Sequence, residues 1–373
     1  MANKRIYYAI QQVSIGDMSG SAAANGNIFQ AVHGLQSVGI STNFNLEQVF
    51  ELGQLEIYQN IEDVPEVEVT LNKVLDGHKL VYELATENGT ELGATPAAAA
   101  ALRKTSDTLS GRQNARCDLY LGIYPDTNDA VTGSATQTVK CEGMYVSSVS
   151  YTFPVDGNFT EDVTLVGNSK IWGGTALVAD GDLTTNADVP DDNIGRRQYL
   201  DMANCFFPRD IPGVNTATGK LTDNGASGEG WSAHFQNITV SCDLGRESIN
   251  ELGRFAPYHR YATFPVEVTS EFEVLSTTGD GVNAAEEGYY TGSAAYNATP
   301  SLNTGVAQCD SAFNLLESKI LIVTCEGTAI DLGTRNKLTS INYSGGDTGG
   351  GNVTVTYSYS TYNTFTLSSN HTV

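Results

Sequence analysis

Polar and apolar residues alternate one for one along several short stretches of this chain. Ser37-Val38-Gly39-Ile40-Ser41 does so, as does Glu66-Val67-Glu68-Val69-Thr70-Leu71-Asn72. The same rhythm returns over Asn237 to Ser241 and Val266 to Phe272. A period of two places successive side chains on opposite faces. Each stretch therefore predicts a half-buried β-strand, with Val or Ile toward a core and Glu, Thr or Asn away from it. Tyr145 to Phe153, the turn-forming Pro154 to Asn158 and Glu161 to Val166 predict a hairpin. Leu338 to Ser344, GGDTGGG and Asn352 to Ser360 predict another; the glycine run lacks the helix and the Lys of a phosphate-binding loop, and reads as a hairpin tip. Helical pattern is scarce. Asn45 to Leu52 and Arg246 to Leu252 are short amphipathic candidates stopped by Gly53 and Gly253. Pro96 to Asp107 opens on proline and runs through alanines, a third candidate.

The patterns occur twice. Residues 35–58 (LQSVGISTNFNLEQVFELGQLEIY) match residues 235–258 (FQNITVSCDLGRESINELGRFAPY) without a gap at an offset of 200. The identities include Gln36/Gln236, Ser41/Ser241 and the signature Glu51-Leu52-Gly53, which returns as Glu251-Leu252-Gly253. Val67-Glu68-Val69-Thr70 returns as Val266-Glu267-Val268-Thr269 at an offset of 199. In the C-terminal halves, VSSVSY at 146–151 resembles LTSINY at 338–343, and Val163 to Val166 corresponds to Val353 to Thr356. The order and spacing predict an internal duplication: a first domain over 1–172 with an Ala-rich insertion at about 94–110, an irregular connecting segment over 173–229, and a second domain over 230–373.

Composition fits many short strands. Charged residues are only 17% of the chain while Gly reaches 38 copies, a mixture that favours strands and turns over packed helices. The 43 Asp and Glu outnumber the 20 Lys and Arg, giving a net charge of −23. Such a surface repels phosphates, which excludes ordinary DNA recognition but suits a passage through which DNA slides without sticking. Six cysteines (Cys117, Cys141, Cys205, Cys242, Cys309 and Cys325) form no CxxC pair and no metal-ligand spacing, and are expected to be reduced, small core residues. The N-terminal MANKRIYYAIQQ has no apolar run of signal-peptide length and no stretch is long and apolar enough for a membrane helix, so assembly in a cytoplasm without membrane partners is expected.

Catalytic chemistry is not expected. His33, His78, His234, His259 and His371 form neither a metal motif nor a triad, and neither a nucleophile elbow nor a dinucleotide-binding glycine motif occurs. Glu66/Glu68 and Glu271/Glu273 are i, i+2 neighbours on a strand face, where paired carboxylates could in principle act as acid and base. Glu68 and Glu267 recur in both copies, which fits a repeated solvent or lumen face better than an acid–base pair. The acidic run Asp180, Asp182, Asp188, Asp191 and Asp192 is the best candidate for Ca²⁺, but its spacing is not that of an EF-hand loop and a solvated loop is favoured. No cofactor and no metal are expected.

The duplicated phrase, Ser-x-(Asn/Asp)-(Phe/Leu) leading to Glu-Leu-Gly and then a Pro-Glu-Val-Glu-Val-Thr strand, resembles bacteriophage tail tube proteins. VSSVSYTFPVDGNFTEDVTLVGNSKIW (146–172) is similar to that family's long hairpin strands. The resemblance implies a mainly β fold: two tandem β-sandwich or barrel domains, each flanked by a short helix. It further implies domains joined side by side into a six-part ring, here supplied by three chains, and rings stacked into a tube. The implied partners are further copies of the chain, other tail proteins (tape measure, terminator, and tip or baseplate proteins) and DNA in transient passage during ejection. The implied location is the virion tail, after assembly in the host bacterial cytoplasm. Glu66, Glu68, Glu267, Glu271 and Glu273 then face either the lumen or a domain interface, because alternation defines two faces without naming the inner one. A second reading, a phage adhesin, baseplate or capsid decoration protein binding host glycans, would use Tyr289, Tyr290 and Tyr296 in the loop over 276–317.

Overall fold

The computed structural model describes residues 6–17, 30–86, 109–112, 114–124, 135–174, 194–215, 217–223, 230–276, 317–345 and 351–368. Strands dominate it. In chain order they are β1 (Gln11–Asp17), β2 (Gln30–Ala31), β3 (Leu35–Asn43), β4 (Leu46–Phe50), β5 (Ile57–Glu62), β6 (Glu66–Val74), β7 (Cys117–Ile123), β8 (Gln137–Pro154), β9 (Thr160–Gly167) and β10 (Ser169–Gly174). After a long connection come β11 (Phe235–Asp243), β12 (Glu247–Ile249), β13 (His259–Tyr261), β14 (Glu267–Leu275), β15 (Leu321–Val323), β16 (Ala329–Asp331), β17 (Lys337–Ser344), β18 (Thr354–Tyr362) and β19 (Thr366–Ser368). A short helix, α1 (Val81–Thr86), follows β6. The fold is mainly β and its sheets are antiparallel, as the alternation predicts.

The chain forms two compact units. The first comprises Met1–Ser150, Thr160–Ile194 and Asp243–Val266; the second comprises Tyr151–Phe159, Gly195–Cys242 and Glu267–Val373. In the first unit, β1 pairs with β2 and β7, and β7 and β10 flank the early part of β8, while β6 is the middle strand of a β3–β6–β9 ladder. Val67, Val69 and Leu71 of β6, Leu165 of β9, Val13 and Ile15 of β1 and Leu119 of β7 are buried, so the inward half of each alternation makes the core. Helix α1 is buried throughout, and its free N-terminal N–H groups need acceptors. Glu161, fully buried on β9, supplies them: the Val81 N–H donates to Oε2 at 2.7 Å and the Tyr82 N–H to Oε1 at 3.1 Å. A carboxylate is favoured there by the helix dipole as well as by the two hydrogen bonds.

The second unit is built on a β11–β14–β18–β17 ladder and a small β15–β16–β19 sheet. Phe207 stacks on Phe235 with ring centres 4.5 Å apart, and Phe272 meets Phe207, Phe235 and Tyr359 edge-on. Phe207 comes from the segment between the sequence repeats. The described part of that segment lies against the small sheet, with the Phe206 N–H donating to the Leu321 carbonyl at 2.8 Å, and it buries Cys205, Phe207 and Ile211.

The two ladders share one irregularity. Between β3 and β6 the register shifts across Leu35/Ser37, and between β11 and β14 it shifts across Phe235/Asn237. The extra residue is Gln36 in one and Gln236 in the other, a β-bulge repeated at the offset of 200. Counting from the bulge, Leu71 pairs with Val38 and Phe272 with Ile238, which puts β6 and β14 in correspondence at 201, not 199. Likewise Val163, opposite Leu71, corresponds to Tyr357, opposite Phe272, and not to Val353. Both corrections are even-numbered slips, which leave every side chain on its expected face and are therefore invisible to alternation.

Two expected helices are strands. Asn45 to Leu52 contains β4, paired with β5, and Arg246 to Leu252 contains β12, paired with β13. Gly53 has φ +96° and Gly253 φ +87°, and the Gln54 and Arg254 N–H groups reach back to the Glu51 and Glu251 carbonyls at 3.2 Å. Each Glu-Leu-Gly is thus the first three residues of a tight turn that needs a positive φ at its third position, the geometry for which glycine is selected. The alanine-rich candidate Pro96 to Asp107, the acidic run Asp180 to Asp192 and Tyr289, Tyr290 and Tyr296 lie outside the described residues. So do the tip of the β17–β18 hairpin, Cys309 and His371.

Candidate assembly surface

Alternation decides where the five candidate carboxylates point. Glu66 and Glu68 share the outward face of β6 with Thr70 and Asn72, opposite buried Val67, Val69 and Leu71. Glu267, Glu271 and Glu273 share the outward face of β14 with Thr269, opposite buried Val268, Ser270 and Phe272. Neighbouring strands extend each face with hydroxyls: Ser37 and Ser41 on β3, Thr164 on β9, Thr239 and Ser241 on β11, Ser358 and Ser360 on β18. Among the described outward residues of β3, β6, β9, β11, β14 and β18 there is no Lys or Arg. On these strands each unit therefore carries an acidic, hydroxyl-rich face, to which the edge strand β17 of the second unit adds exposed Lys337, opposite Ser360.

Glu66 is set apart from the other four. Its Oε1 lies 3.0 Å from Nη1 of Arg260, which is only 7% exposed. Arg260 also donates from Nη2 to Asn168 Oδ1 at 3.3 Å. Glu66 anchors a neighbouring element; Glu68, Glu267 and Glu271 stand exposed.

The signature residues sit at the tips of two β-hairpin arms. Glu51, Leu52 and Gly53 cap the first arm (β4–β5), and Glu251, Leu252 and Gly253 cap the second (β12–β13). Leu52 and Leu252 are wholly exposed. Phe50, Leu55, Tyr58 and Ile61 are bare on the first arm, and Ile249, Phe255 and Tyr258 on the second. Side chains of this size exposed together on thin ribbons are of the kind that serve as contact sites for other molecules.

The base of the second arm is seated within the first unit. The Leu244 N–H donates to the Ser147 carbonyl at 2.8 Å, and Arg246 Nε donates to the Val146 carbonyl at 2.7 Å while its guanidinium lies 5.3 Å from the Tyr145 ring centre. His259 bridges outward, with Nδ1 2.9 Å from the Tyr145 hydroxyl and Nε2 3.2 Å from Asn114 Oδ1. A neutral ring with its proton on Nε2 satisfies both contacts, accepting from the tyrosine and donating to the amide. Burial, and then the Arg116 and Arg246 charges, lower the pKa of His259 below the usual 6.5. A lowered native value means that the seat is fully stabilised above pH 6.5 and loses stability as pH falls through the native pKa. The second arm is accordingly expected to become more accessible to protease at pH 5.5 than at pH 7.5, and His259→Gln is expected to flatten that dependence. An identical cleavage rate at both pH values would contradict it.

None of the seat was legible as a motif. Arg246, His259 and Arg260 meet partners 92 to 194 residues away in sequence. The described residues hold no group of three or more His, Cys, Asp or Glu placed to bind a metal. Cys117, Cys141, Cys205 and Cys242 are buried thiols, with burial pushing Cys141 up to about 11 and Cys205 up to about 12; Cys325 is an exposed thiol. No helix among the described residues is long and apolar enough to cross a membrane.

No family model and no curated protein matches the sequence. Solved structures give partial likenesses. The sheath/tube terminator of an extracellular contractile injection system, PVC, in its extended state is 13% identical at a TM-score of 0.31, over 47% of this chain and 100% of that one. The tube-terminating cap of the anti-feeding prophage is 12% identical at a TM-score of 0.30, over 47% of this chain and 94% of that one. The PVC sheath–tube complex is 12% identical at 0.29, over 46% of this chain and 94% of that one. Each likeness spans less than half of the chain.

Proposed function

We propose that this chain is the structural subunit of a bacteriophage tail tube, self-assembling into rings that stack into a conduit for genome ejection. The observation that carries the reading is the repeated bulged ladder, whose outer strands are paired on one side among the described residues: β3 with β6, and β17 with β18. Open edges invite further strand pairing. Two unlike edges on one chain satisfy each other head to tail, and such heterologous contacts close into a ring when the rotation permits. With two ladders per chain, three chains supply a six-part ring.

The acidic faces then line the passage. DNA carries one negative charge per about 1.7 Å of duplex, so a wall in which carboxylates and hydroxyls outnumber cations repels it and gives it few places to arrest. The bare apolar arms are left to contacts between subunits, and the further partners are the other proteins of the tail in the virion. No catalytic role is assigned.

Negative-stain electron microscopy of the purified protein tests the reading. Hollow tubes, or rings with three chains each by mass, are expected. A protein that stays monomeric at high concentration, or stops at solid, non-stacking trimers, overturns it.

A further inference from the structure

The two arms are the same element in two different states of cover. Leu244, at the base of the second arm, is 1% exposed because the first unit's β8 receives it, its N–H bonded to the Ser147 carbonyl. Its counterpart at the offset of 200 is Phe44, at the base of the first arm, which is 67% exposed. A large apolar residue at a position whose twin is buried identifies a missing receptor. That receptor should be the second unit's equivalent of β8 near Ser147.

The equivalent is identifiable. VSSVSY and LTSINY align Val146-Ser147-Ser148-Val149 with Leu338-Thr339-Ser340-Ile341. In both, one buried residue is followed by two that are not, half-buried Ser147 and Ser148 and exposed Thr339 and Ser340, which breaks the alternation at the same place. In β17 that break is a register shift across Leu338/Ser340 against β18, and β17 is an edge strand among the described residues. Thr339 therefore corresponds to Ser147, on a strand whose other side carries no partner among the described residues.

Charge selects the same match. Residues 43–65, the first arm with its base, include Glu47, Glu51, Glu56, Glu62 and Asp63 and no Lys or Arg. Exposed Arg335 and Lys337 stand beside Thr339. The second arm is the reverse: its Arg246 and Arg260 hold it to a first unit that offers Glu66 and the Tyr145 ring. An acidic arm suits the second unit's edge, and a basic arm suits the first unit.

We propose that the first arm docks on the β17 edge of a second copy of this chain, with the Phe44 N–H donating to the Thr339 carbonyl as Leu244 does to Ser147. The contact is strand addition to an open edge, with backbone hydrogen bonds for affinity and side chains for register. The inference rests on the tube reading for the presence of a neighbouring chain, and specifies which elements meet.

Mixed disulfide trapping tests it. Two single variants, Phe44→Cys and Thr339→Cys, are made on a chain carrying Cys309→Ser and Cys325→Ser, checked for native circular dichroism, mixed and oxidised. The expected result is a non-reducing band at twice 39.8 kDa from the mixture and from neither variant alone. Tubes or rings without that band overturn the docking and leave the tube reading standing. The same band from Phe44→Cys mixed with Ser147→Cys, in place of Thr339→Cys, also overturns it. The expected band from a protein that never forms rings or tubes supports the docking and refutes the tube. Neither band nor assembly refutes both.

Discussion

Lys73→Met is expected to destabilise the protein by about 3–5 kcal/mol, the cost of stranding a buried charge. Lys73 is wholly buried, and its Nζ lies 2.7 Å from Asp76 Oδ1 and 2.8 Å from the His33 carbonyl. Asp76 Oδ1 also accepts the His78 N–H at 3.1 Å, so the carboxylate fastens the chain leaving β6 while the ammonium fastens the chain entering β3. Methionine fills a similar volume and removes only the charge and its hydrogen bonds, leaving the Asp76 carboxylate in a site that is 8% exposed. Urea denaturation measures the loss. Lys73→Met/Asp76→Asn is expected to recover part of it, because the second change removes the stranded charge. A single-variant loss below about 1 kcal/mol would place the pair among surface-like ion pairs and contradict the argument. The position corresponding to Lys73 in the second ladder, counted from the bulge, is Val274, so the ladder itself does not require a charge there. What requires it is the buried carboxylate on the chain that leads to α1.

Much of this fold was legible in the sequence because period-two alternation is a direct imprint of a sheet with one buried face. It identified β3, β6, β11 and β14 and assigned their carboxylates to the outward side. It failed where that imprint is missing. The first arm buries almost nothing within its own chain, so Leu46, Val49 and Phe50 show no strand rhythm and read as a helical stripe, with Gly53 as its stop. A glycine at positive φ ends a helix and makes a tight turn equally well. The register errors have the same root: shifting Val67-Glu68-Val69-Thr70 by two residues changes no face, and only the bulges at Gln36 and Gln236 remove the ambiguity. The seat of the second arm was hidden because each of its contacts joins residues that only the fold brings together.

Changing Glu68, Glu267 and Glu271 together to Lys is expected to leave folding and ring assembly intact and to slow genome release by on the order of tenfold or more at low salt. All three are exposed on outward strand faces, where substitutions seldom move stability by more than about 0.5 kcal/mol. Glu66 is excluded because Arg260 depends on it, and Glu273 because it is partly buried. Each exchange adds two charges, so three take the chain from −23 to −17. The global change is modest; the local one replaces the exposed carboxylates of β6 and β14 with lysines, each able to displace counterions from a passing phosphate. Counterion release weakens steeply with ionic strength, so the defect should be relieved as salt is raised, whereas a blocked or distorted tube would stay slow at any salt. Release is followed by the appearance of nuclease-sensitive DNA after triggering, with tube integrity checked by microscopy. Intact tubes with unchanged low-salt release would show that these faces do not line the passage. Loss of assembly would place them in an interface, where three new cations meet groups they were not built to face.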